Sequence, residues 1–427
     1  MTEKNLPQAI KNTSVAKVLE RSNQLMTVTK SVLQRAKSAK EFSVSEDDSW
    51  IDRLFAWVDK NDIPDLYWDE EYERNNGLPR DRSQLLGLTE LSLHENQLTS
   101  LPPEIVHLTN LTELSLHENQ LTSLPPEIVH LTNLTKLDLS FNNLNNLLPV
   151  IRQLTHLTDL DLSSNKLTSL PSEIWKLTSL TCLDISLNYL TRLSPEIGQL
   201  TSLTCLDISS NYLRNLPPEI SQLTSLTELD LGGNCLTILP PEILQLTNLN
   251  KLTLFRNELT SLPPEIGQFT NLTAFNLVHN QLTSLPPEIG QFTNLTAFNL
   301  GHNQLTSLPP EIGQLTNLTE LNLGHNQLTS LPPEISQLTS LTRLDLRSNK
   351  LTSLPPEIGQ LTNISELFIE KNSINELSEE IVNLPNLDEY SRDRLNHYKV
   401  KQKDPSLVYV PNDFDDDGVL SRVENNE

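Results

Sequence analysis

The chain has 427 residues, enough for a large hydrophobic core, and carries 31 Lys and Arg against 55 Asp and Glu, a formal net charge of −24. This acidity argues against nucleic acid, whose phosphates require basic patches, and against anionic membrane surfaces. It favours a protein partner with a basic surface, although the same charge also serves to keep a long protein in solution.

The cysteine content and the apolar runs predict where the protein works. The three cysteines are Cys182, Cys205 and Cys235, an odd and sparse set that favours free thiols in a reducing compartment. The N-terminus shows no unbroken apolar segment typical of a secretory signal, and no apolar run approaches 18 residues. We therefore expect a cytoplasmic monomer without a membrane span.

Residues 1–45 are polar with scattered apolar positions. Val15, Val18, Leu25, Val28 and Val32 roughly follow helical spacing. The segment contains lysines and arginines, so it is interpreted either as a weakly ordered helical arm or as a docking helix.

Residues 46–87 are predicted to form an N-terminal cap. Acidic residues and Ser49 precede Trp50, as at a helix start, and three of the four tryptophans fall in this segment. Leu78 and Leu85 stand 23 residues before Leu101 and Leu108, so the cap ends in a half repeat that is in register with the 23-residue units after it. An aromatic ligand pocket is the alternative.

Residues 88–386 contain thirteen units of 23 residues without insertion or deletion, and an asparagine marks each of them. These asparagines are Asn96, Asn119, Asn142, Asn165, Asn188, Asn211, Asn234, Asn257, Asn280, Asn303, Asn326, Asn349 and Asn372. With position 1 at Leu88, the apolar positions are 1, 4, 6, 11, 14, 18 and 21. Such a fixed period predicts a solenoid of stacked coils.

Alternation around positions 4 and 6 predicts one short parallel strand per coil. The prolines of the SLPPEI segment exclude a central strand and favour a short helix or 3₁₀ turn. We expect the position 9 asparagines to be buried and to hydrogen-bond the turn after each strand. Positions 3, 5, 7, 8 and 10 are expected to face the concave side.

The pattern LxxLxLxxNxLxxLPxxIxxLxx resembles the 23-residue class of intracellular leucine-rich repeat proteins, which includes Ras-suppressor and Scribble-type proteins and many bacterial ones. The resemblance covers about 300 of the 427 residues. It implies an α/β leucine-rich repeat solenoid, a curved horseshoe with helical caps, that acts as a binding scaffold. The partner itself must be argued from specific residues.

After the repeats, residues 387–403 are predicted to form a C-terminal capping helix, followed by an acidic tail at 404–427. The tail contains the pattern DxDxDGx₅E, which resembles the calcium loop of EF-hands. Its calcium ligands would be Asp413, Asp415, Asp417, Ser421 and Glu424. The flanking helices of an EF-hand are missing, and an acidic tail also matches such a pattern by chance.

Repeats 1 and 2, and repeats 9 to 11, are near copies, so we look for a site in the more varied repeats 3 to 8. Position 5 there carries an aspartate column, Asp138, Asp161, Asp184, Asp207 and Asp230. Adjacent carboxylates repel each other, so the column would attract basic groups or a hard cation. Alternatively, Leu-Asp-Leu-Ser is simply common in this repeat class.

Apolar and aromatic residues interrupt the polar consensus beside this column. They are Phe141, Leu187, Tyr189, Tyr212 and Phe255. Exposed aromatic residues next to charge are typical of binding hot spots, although drift on an exposed surface is the alternative.

Cys182 and Cys205 share one slot on adjacent coils, as do His94 with His117 and His279 with His302 and His325. The cysteines lack the spacing of a zinc site, and the histidines lie in duplicated repeats, which explains why they recur at one position. We therefore expect no cofactor except Ca²⁺ at the tail loop. The catalytic motifs of P-loop enzymes, hydrolases, metalloproteases and kinases are absent from the sequence.

The sequence thus predicts a non-enzymatic scaffold that binds a protein on the concave face of repeats 3–8. The alternatives are a calcium-responsive regulator that uses the tail loop, or an effector acting on host proteins.

Overall fold

The computed structural model describes residues 49–72 and 74–395. The predicted arm at residues 1–45 and the calcium loop of the tail lie outside this range. The chain divides into two compact bodies, one through Gln281 and one from Leu282.

The first body begins with helix α1 (Ser49–Lys60), whose Trp50, Leu54 and Val58 are buried on one side. A two-stranded antiparallel sheet comes next, with β1 (Tyr67–Asp69) paired to β2 (Arg74–Asn76). Helix α2 (Arg82–Leu86) starts at Asp81, whose carboxylate accepts the Gln84 N–H. Of the three tryptophans in this segment, Trp50 is buried, Trp57 is half-buried and Trp68 is 60% exposed.

Every repeat contributes one three-residue strand at positions 3–5. In the first body these are β3 (Glu90–Ser92), β4 (Glu113–Ser115), β5 (Lys136–Asp138), β6 (Asp159–Asp161), β7 (Cys182–Asp184), β8 (Cys205–Asp207), β9 (Glu228–Asp230), β10 (Lys251–Thr253) and β11 (Ala274–Asn276). Each pairs in parallel with the next, and residues 23 apart are opposite each other.

The second body repeats the arrangement with four strands. They are β12 (Ala297–Asn299), β13 (Glu320–Asn322), β14 (Arg343–Asp345) and β15 (Glu366–Phe368), paired in parallel in sequence order. Helix α3 (Glu379–Val382) and a helical segment at 389–395 complete it. The predicted cap helix at 387–403 is thus described only in part.

The proline segments form 3₁₀ helices at positions 16–20, as predicted. They are Pro103–His107, Pro126–His130, Pro149–Gln153, Ser172–Lys176, Pro195–Gln199, Pro218–Gln222, Pro241–Gln245 and Pro264–Gln268 in the first body, and Pro287–Gln291, Pro310–Gln314, Pro333–Gln337 and Pro356–Gln360 in the second. Most begin with a proline. The missing N–H costs nothing there, because the first N–H groups of a helix have no acceptor within the helix.

The core of each coil lies between its strand and its 3₁₀ turn. In repeat 5, for example, Leu180, Leu183, Ile185, Leu190 and Ile197 are all buried. Burying one such side chain contributes about 1.5–3 kcal/mol, and only the neighbouring coils supply the covering surface. The core therefore fixes positions 4 and 6 inward and leaves positions 3 and 5 on the opposite face of the sheet, which we call the strand face.

The position 9 asparagines bind the backbone as predicted. The Asn211 side chain donates to the Ile185 carbonyl of the preceding coil at 3.0 Å and accepts the Leu190 N–H at 2.9 Å. The asparagines of repeats 2 to 12 are buried, whereas Asn96 and Asn372 at the ends are only half-buried. These asparagines join adjacent coils through hydrogen bonds, and their role is structural.

Candidate protein-binding site

The predicted aspartate column lies on the strand face, and part of its role is structural. The Asp184 carboxylate accepts the backbone N–H of Ser186 at 2.8 Å, and Asp207 does the same for Ser209. Such a bond fixes the turn in which the strand ends. Asp161 and Asp230 bond position 7 of their own repeats in the same way.

Position 7 was expected to face the concave side, and its small side chains in repeats 3 to 6 are covered there by their neighbours. Ser140, Ser163, Ser186 and Ser209 are buried. The Ser140 hydroxyl donates to the Asp138 carboxylate at 2.5 Å, so position 7 lies beside position 5 on the strand face. The accessible part of the strand face in repeats 4 to 7 is therefore chiefly at positions 3 and 5.

The aspartates of the column are half-buried beside one another, which changes their protonation. Burial and the neighbouring Asp207 raise the pKa of Asp184 to about 7. The same two causes raise the pKa of Asp230 to about 6. Burial likewise raises the pKa of Asp161. Ionising these carboxyl groups therefore costs free energy, and a cationic group at the strand face would lower that cost.

Position 3 adds acidic groups beside the column. Asp159 and Glu228 stand there in repeats 4 and 7, and the cysteines Cys182 and Cys205 fill the same position between them. At position 3, lysines stand only at the two limits of this stretch. Lys136 in repeat 3 is paired with Glu113 at 2.9 Å, and Lys251 in repeat 8 lies 4.0 Å from Glu228.

Two tyrosines form an exposed pair at position 10. The rings of Tyr189 and Tyr212 are stacked with centroids 6.2 Å apart and planes at 16°. Their exposed fractions are 47% and 52%. Leu187, two residues before Tyr189, is exposed as well. The structure thus brings together three of the five apolar residues that the sequence singled out.

The other two have different surroundings. Phe141 is exposed, but its ring packs edge-on against His117 with centroids 5.1 Å apart. Phe255 is half-buried, and a Cβ at Gly232 would lie 2.1 Å from its ring. Phe255 therefore rests on the glycine of the preceding repeat, so less of its surface is available to a partner than the sequence suggested.

One exposed apolar residue was missed by sequence reasoning. Ile238 is the most exposed large hydrophobic side chain of the described residues, at 64%. It stands at position 13, where most repeats have serine, three residues after Cys235, which shares position 10 with the tyrosines. The departure from serine was the available signal.

Position 8 has an unusual backbone in every repeat. Its residues adopt a left-handed conformation, with φ of 51° at both Phe141 and Leu187. Glycine, asparagine and aspartate tolerate this region far better than bulky side chains do. Gly233 alone among the thirteen is glycine there. Retaining leucine or phenylalanine at such a position is therefore locally unfavourable.

The histidine columns do not converge on a metal. His94 is buried and lies between Asp69 and Ser92, at 2.9 and 2.8 Å. His302 and His325 stack face to face at 4.1 Å. Within residues 49–72 and 74–395, no three His, Cys, Asp or Glu side chains form a metal-binding group. The calcium ligands Asp413, Asp415, Asp417, Ser421 and Glu424 are outside the described residues, so calcium binding stays a prediction.

Comparison with known proteins establishes the family. A model of the leucine-rich repeat region matches residues 137–253, and a leucine-rich repeat model matches residues 87–144, 270–328, 293–351 and 339–389. A leucine-rich repeat protein of Leptospira interrogans is 40% identical, with a TM-score of 0.71, over 81% of this chain and 97% of that one. The chain belongs to the leucine-rich repeat family.

Other leucine-rich repeat structures are also similar. The functional domain of InlJ from Listeria monocytogenes is 29% identical with a TM-score of 0.58, over 71% of this chain and 67% of that one. The ectodomain of a plant receptor kinase from Arabidopsis thaliana, in complex with CASPARIAN STRIP INTEGRITY FACTOR 2, is 32% identical with a TM-score of 0.52, over 71% of this chain and 44% of that one. No curated protein matches the chain.

Leucine-rich repeat proteins generally act as protein-interaction scaffolds, and the predicted fold class is confirmed by these structures. Over residues 49–72 and 74–395, the helices are too short or too polar to cross a membrane.

Proposed function

We propose that this leucine-rich repeat protein is a non-enzymatic cytoplasmic scaffold that binds a basic protein segment on its strand face, centred on repeats 3–8. The observation that carries the proposal is the exposed, stacked pair Tyr189 and Tyr212 at the edge of the acidic column. The two rings lie outside the coil core and are about half exposed, while the half-buried carboxylates keep their outer surface on the strand face.

Charge supports a basic partner. Positions 3 and 5 of repeats 4 to 7 carry six carboxylates and no Lys or Arg: Asp159, Asp161, Asp184, Asp207, Glu228 and Asp230. A surface with charge of one sign speeds the association of an oppositely charged partner and rejects others. A lysine or arginine above Asp184 would also favour its ionised form, whose pKa the protein alone raises to about 7.

The tyrosine pair would contribute binding energy, whereas the acidic charge chiefly speeds association. Each tyrosine offers a large contact area with few rotatable bonds, so little side-chain entropy is lost on binding. The stacking of Tyr189 on Tyr212 fixes both rings before the partner arrives, which lowers that loss further. Leu187 and Ile238 extend the apolar surface.

The plant receptor ectodomain supports only the general inference that a leucine-rich repeat solenoid binds a protein ligand. Its structure contains CASPARIAN STRIP INTEGRITY FACTOR 2, so a solenoid with this repeat can hold a protein ligand. The present chain spans less than half of that ectodomain, and the identity of the partner does not transfer.

The test compares three immobilised full-length proteins in native lysate. They are the wild type, Tyr189→Ala with Tyr212→Ala, and the matched control Gln304→Ala with Gln327→Ala, which alters the same repeat position in near-copied repeats. Circular dichroism checks that all three are folded. A protein held by wild type and control but lost by the tyrosine variant is then purified, and its dissociation constant is measured.

We expect the tyrosine variant to bind the purified protein at least 30-fold more weakly, since a truncated hot spot costs about 2 kcal/mol or more. We also expect affinity to fall with added salt, because the acidic column is part of the site. Equal binding by the tyrosine variant and the control, or a partner with an acidic contact surface, would exclude the proposed site.

A further inference from the structure

The two cysteines of the strand face stand directly opposite each other. Cys182 begins β7 and Cys205 begins β8, and the register of these parallel strands pairs the two residues. Both are half-buried, free thiols. The two side chains therefore stand side by side on the strand face of adjacent coils. The third cysteine, Cys235, stands at position 10, at the far end of the strand turn.

The spacing of adjacent strands permits a covalent bond between these residues. Neighbouring strands lie about 4.8 Å apart. Disulfides join residues whose Cα atoms are about 4.4–6.8 Å apart. Residues two strands apart, at about 9.6 Å, lie beyond this limit. Only neighbouring repeats can therefore form such a bond on this face.

The surrounding charge selects among the reactions open to two thiols. Asp159, Asp184, Asp207 and Glu228 all raise the energy of a thiolate at this place. A monovalent soft cation held by two thiolates would leave a net negative charge among four carboxylates. Converting two thiols into a disulfide leaves no net charge. The site therefore favours a two-electron oxidation over the binding of a monovalent metal ion.

We propose that Cys182 and Cys205 form a reversible dithiol–disulfide pair that hydroperoxides oxidise, placed within the acidic strand face. Either thiol can react first, because the register places the two equivalently, and the case in which Cys205 reacts first is representative. The Cys205 sulfur attacks one peroxide oxygen, the O–O bond breaks, and water leaves with the proton taken up. Cys182 then attacks the resulting sulfenic acid, and a second water leaves.

Two thiols and one hydrogen peroxide thus give one disulfide and two waters. The bond links repeats 5 and 6 through the strand face. A thiol reductant or reduced glutathione reverses it by thiol–disulfide exchange. Cys235 has no cysteine opposite it and serves as an internal control.

The experiment treats the reduced full-length protein with hydrogen peroxide and counts free thiols after denaturation. We expect the three thiols of the chain to fall to one, with a mass loss of two hydrogens and a Cys182–Cys205 linked peptide in the digest. Cys235→Ser should fall from two thiols to none and give the same linked peptide. Dithiothreitol should restore the thiols in both.

A matched control moves one cysteine by a single strand. Cys205→Ser with Glu228→Cys keeps the number of thiols and the face but separates the pair by two strands, so no linked peptide should form. Asp184→Asn should speed oxidation several-fold at neutral pH, since one charge that opposes the thiolate is removed. An equal yield of cross-link in the displaced pair, or oxidation of Cys182 and Cys205 to separate sulfenic or sulfinic acids, would overturn the proposal.

Discussion

From the aspartate column we predict that the substitution Asp184→Asn stabilises the protein and that the size of this gain depends on pH. Asp184 has a pKa raised to about 7, yet its carboxylate accepts the Ser186 N–H at 2.8 Å. Asparagine can keep this bond while removing the charge. The second half of the chain shows the arrangement already, because Asn322 at the same repeat position accepts the Gly324 N–H at 2.9 Å.

The sign and size follow from the linkage between protonation and folding. An unfolded aspartate has a pKa of about 3.9, so the folded state binds the Asp184 proton more tightly. Its contribution to stability is therefore complete below pH 4 and is lost as the pH rises to about 7. A shift of about three units corresponds to about 4 kcal/mol at most. Since Asp184 is partly exposed, we expect Asp184→Asn to gain about 2–4 kcal/mol at pH 8 and nothing at pH 4.

The assay is urea unfolding monitored by circular dichroism between pH 4 and pH 8, comparing variant with wild type at each pH so that other groups cancel. Asp345→Asn is the matched control at the same repeat position. Asp345 pairs with the Arg347 guanidinium at 2.5 Å, so its loss should destabilise at pH 8. A gain for Asp184→Asn that does not change with pH, or a loss at pH 8, would refute the reasoning.

Three further substitutions should change the free energy of unfolding, measured in urea. Asn257→Ala should cost about 2–4 kcal/mol because it orphans the buried Leu231 carbonyl and Leu236 N–H, whereas Asn248→Ala, at an exposed amide, should cost under about 1 kcal/mol. Gly232→Ala should cost about 1–3 kcal/mol by displacing the Phe255 ring, and Phe255→Ala should remove that penalty. Leu187→Asn should gain about 0.5–1 kcal/mol by relieving the left-handed backbone.

The fold was predictable because each coil contacts only its neighbours. The period of 23 residues and the alternation around positions 4 and 6 predicted the strands, and the paired prolines predicted the 3₁₀ turns. All three signals are local in sequence. The ladder of asparagines was predictable for the same reason, since a buried amide at a fixed period must bond the same backbone groups in every coil.

The site was predictable only in part, because side-chain contacts between coils leave weak traces in one sequence. The Ser186 N–H donates to the Asp184 carboxylate, which gives the acidic column a structural role, and the pattern Leu-Asp-Leu-Ser alone does not show this bond. Gly232 and Phe255 stand at the same position in successive repeats, and a glycine with a large ring one period later was the signal for their contact. The stacking of Tyr189 on Tyr212 was implied by their shared position.

An exposed leucine on a left-handed backbone adds an argument for repeat 5, which charge and exposure also favour. Position 8 is left-handed in all thirteen repeats, so selection for stability alone favours glycine or asparagine there. Leu187 instead combines an unfavourable backbone with a side chain that is 53% exposed, which also gains little from burial. The left-handed backbone alone does not mark a site, because all thirteen repeats have it, but the exposed leucine at this position does distinguish repeat 5. Leu187→Asn should therefore stabilise the protein and weaken binding of the proposed partner, whereas relieving strain at Ser348, outside the proposed site, should leave that binding unchanged.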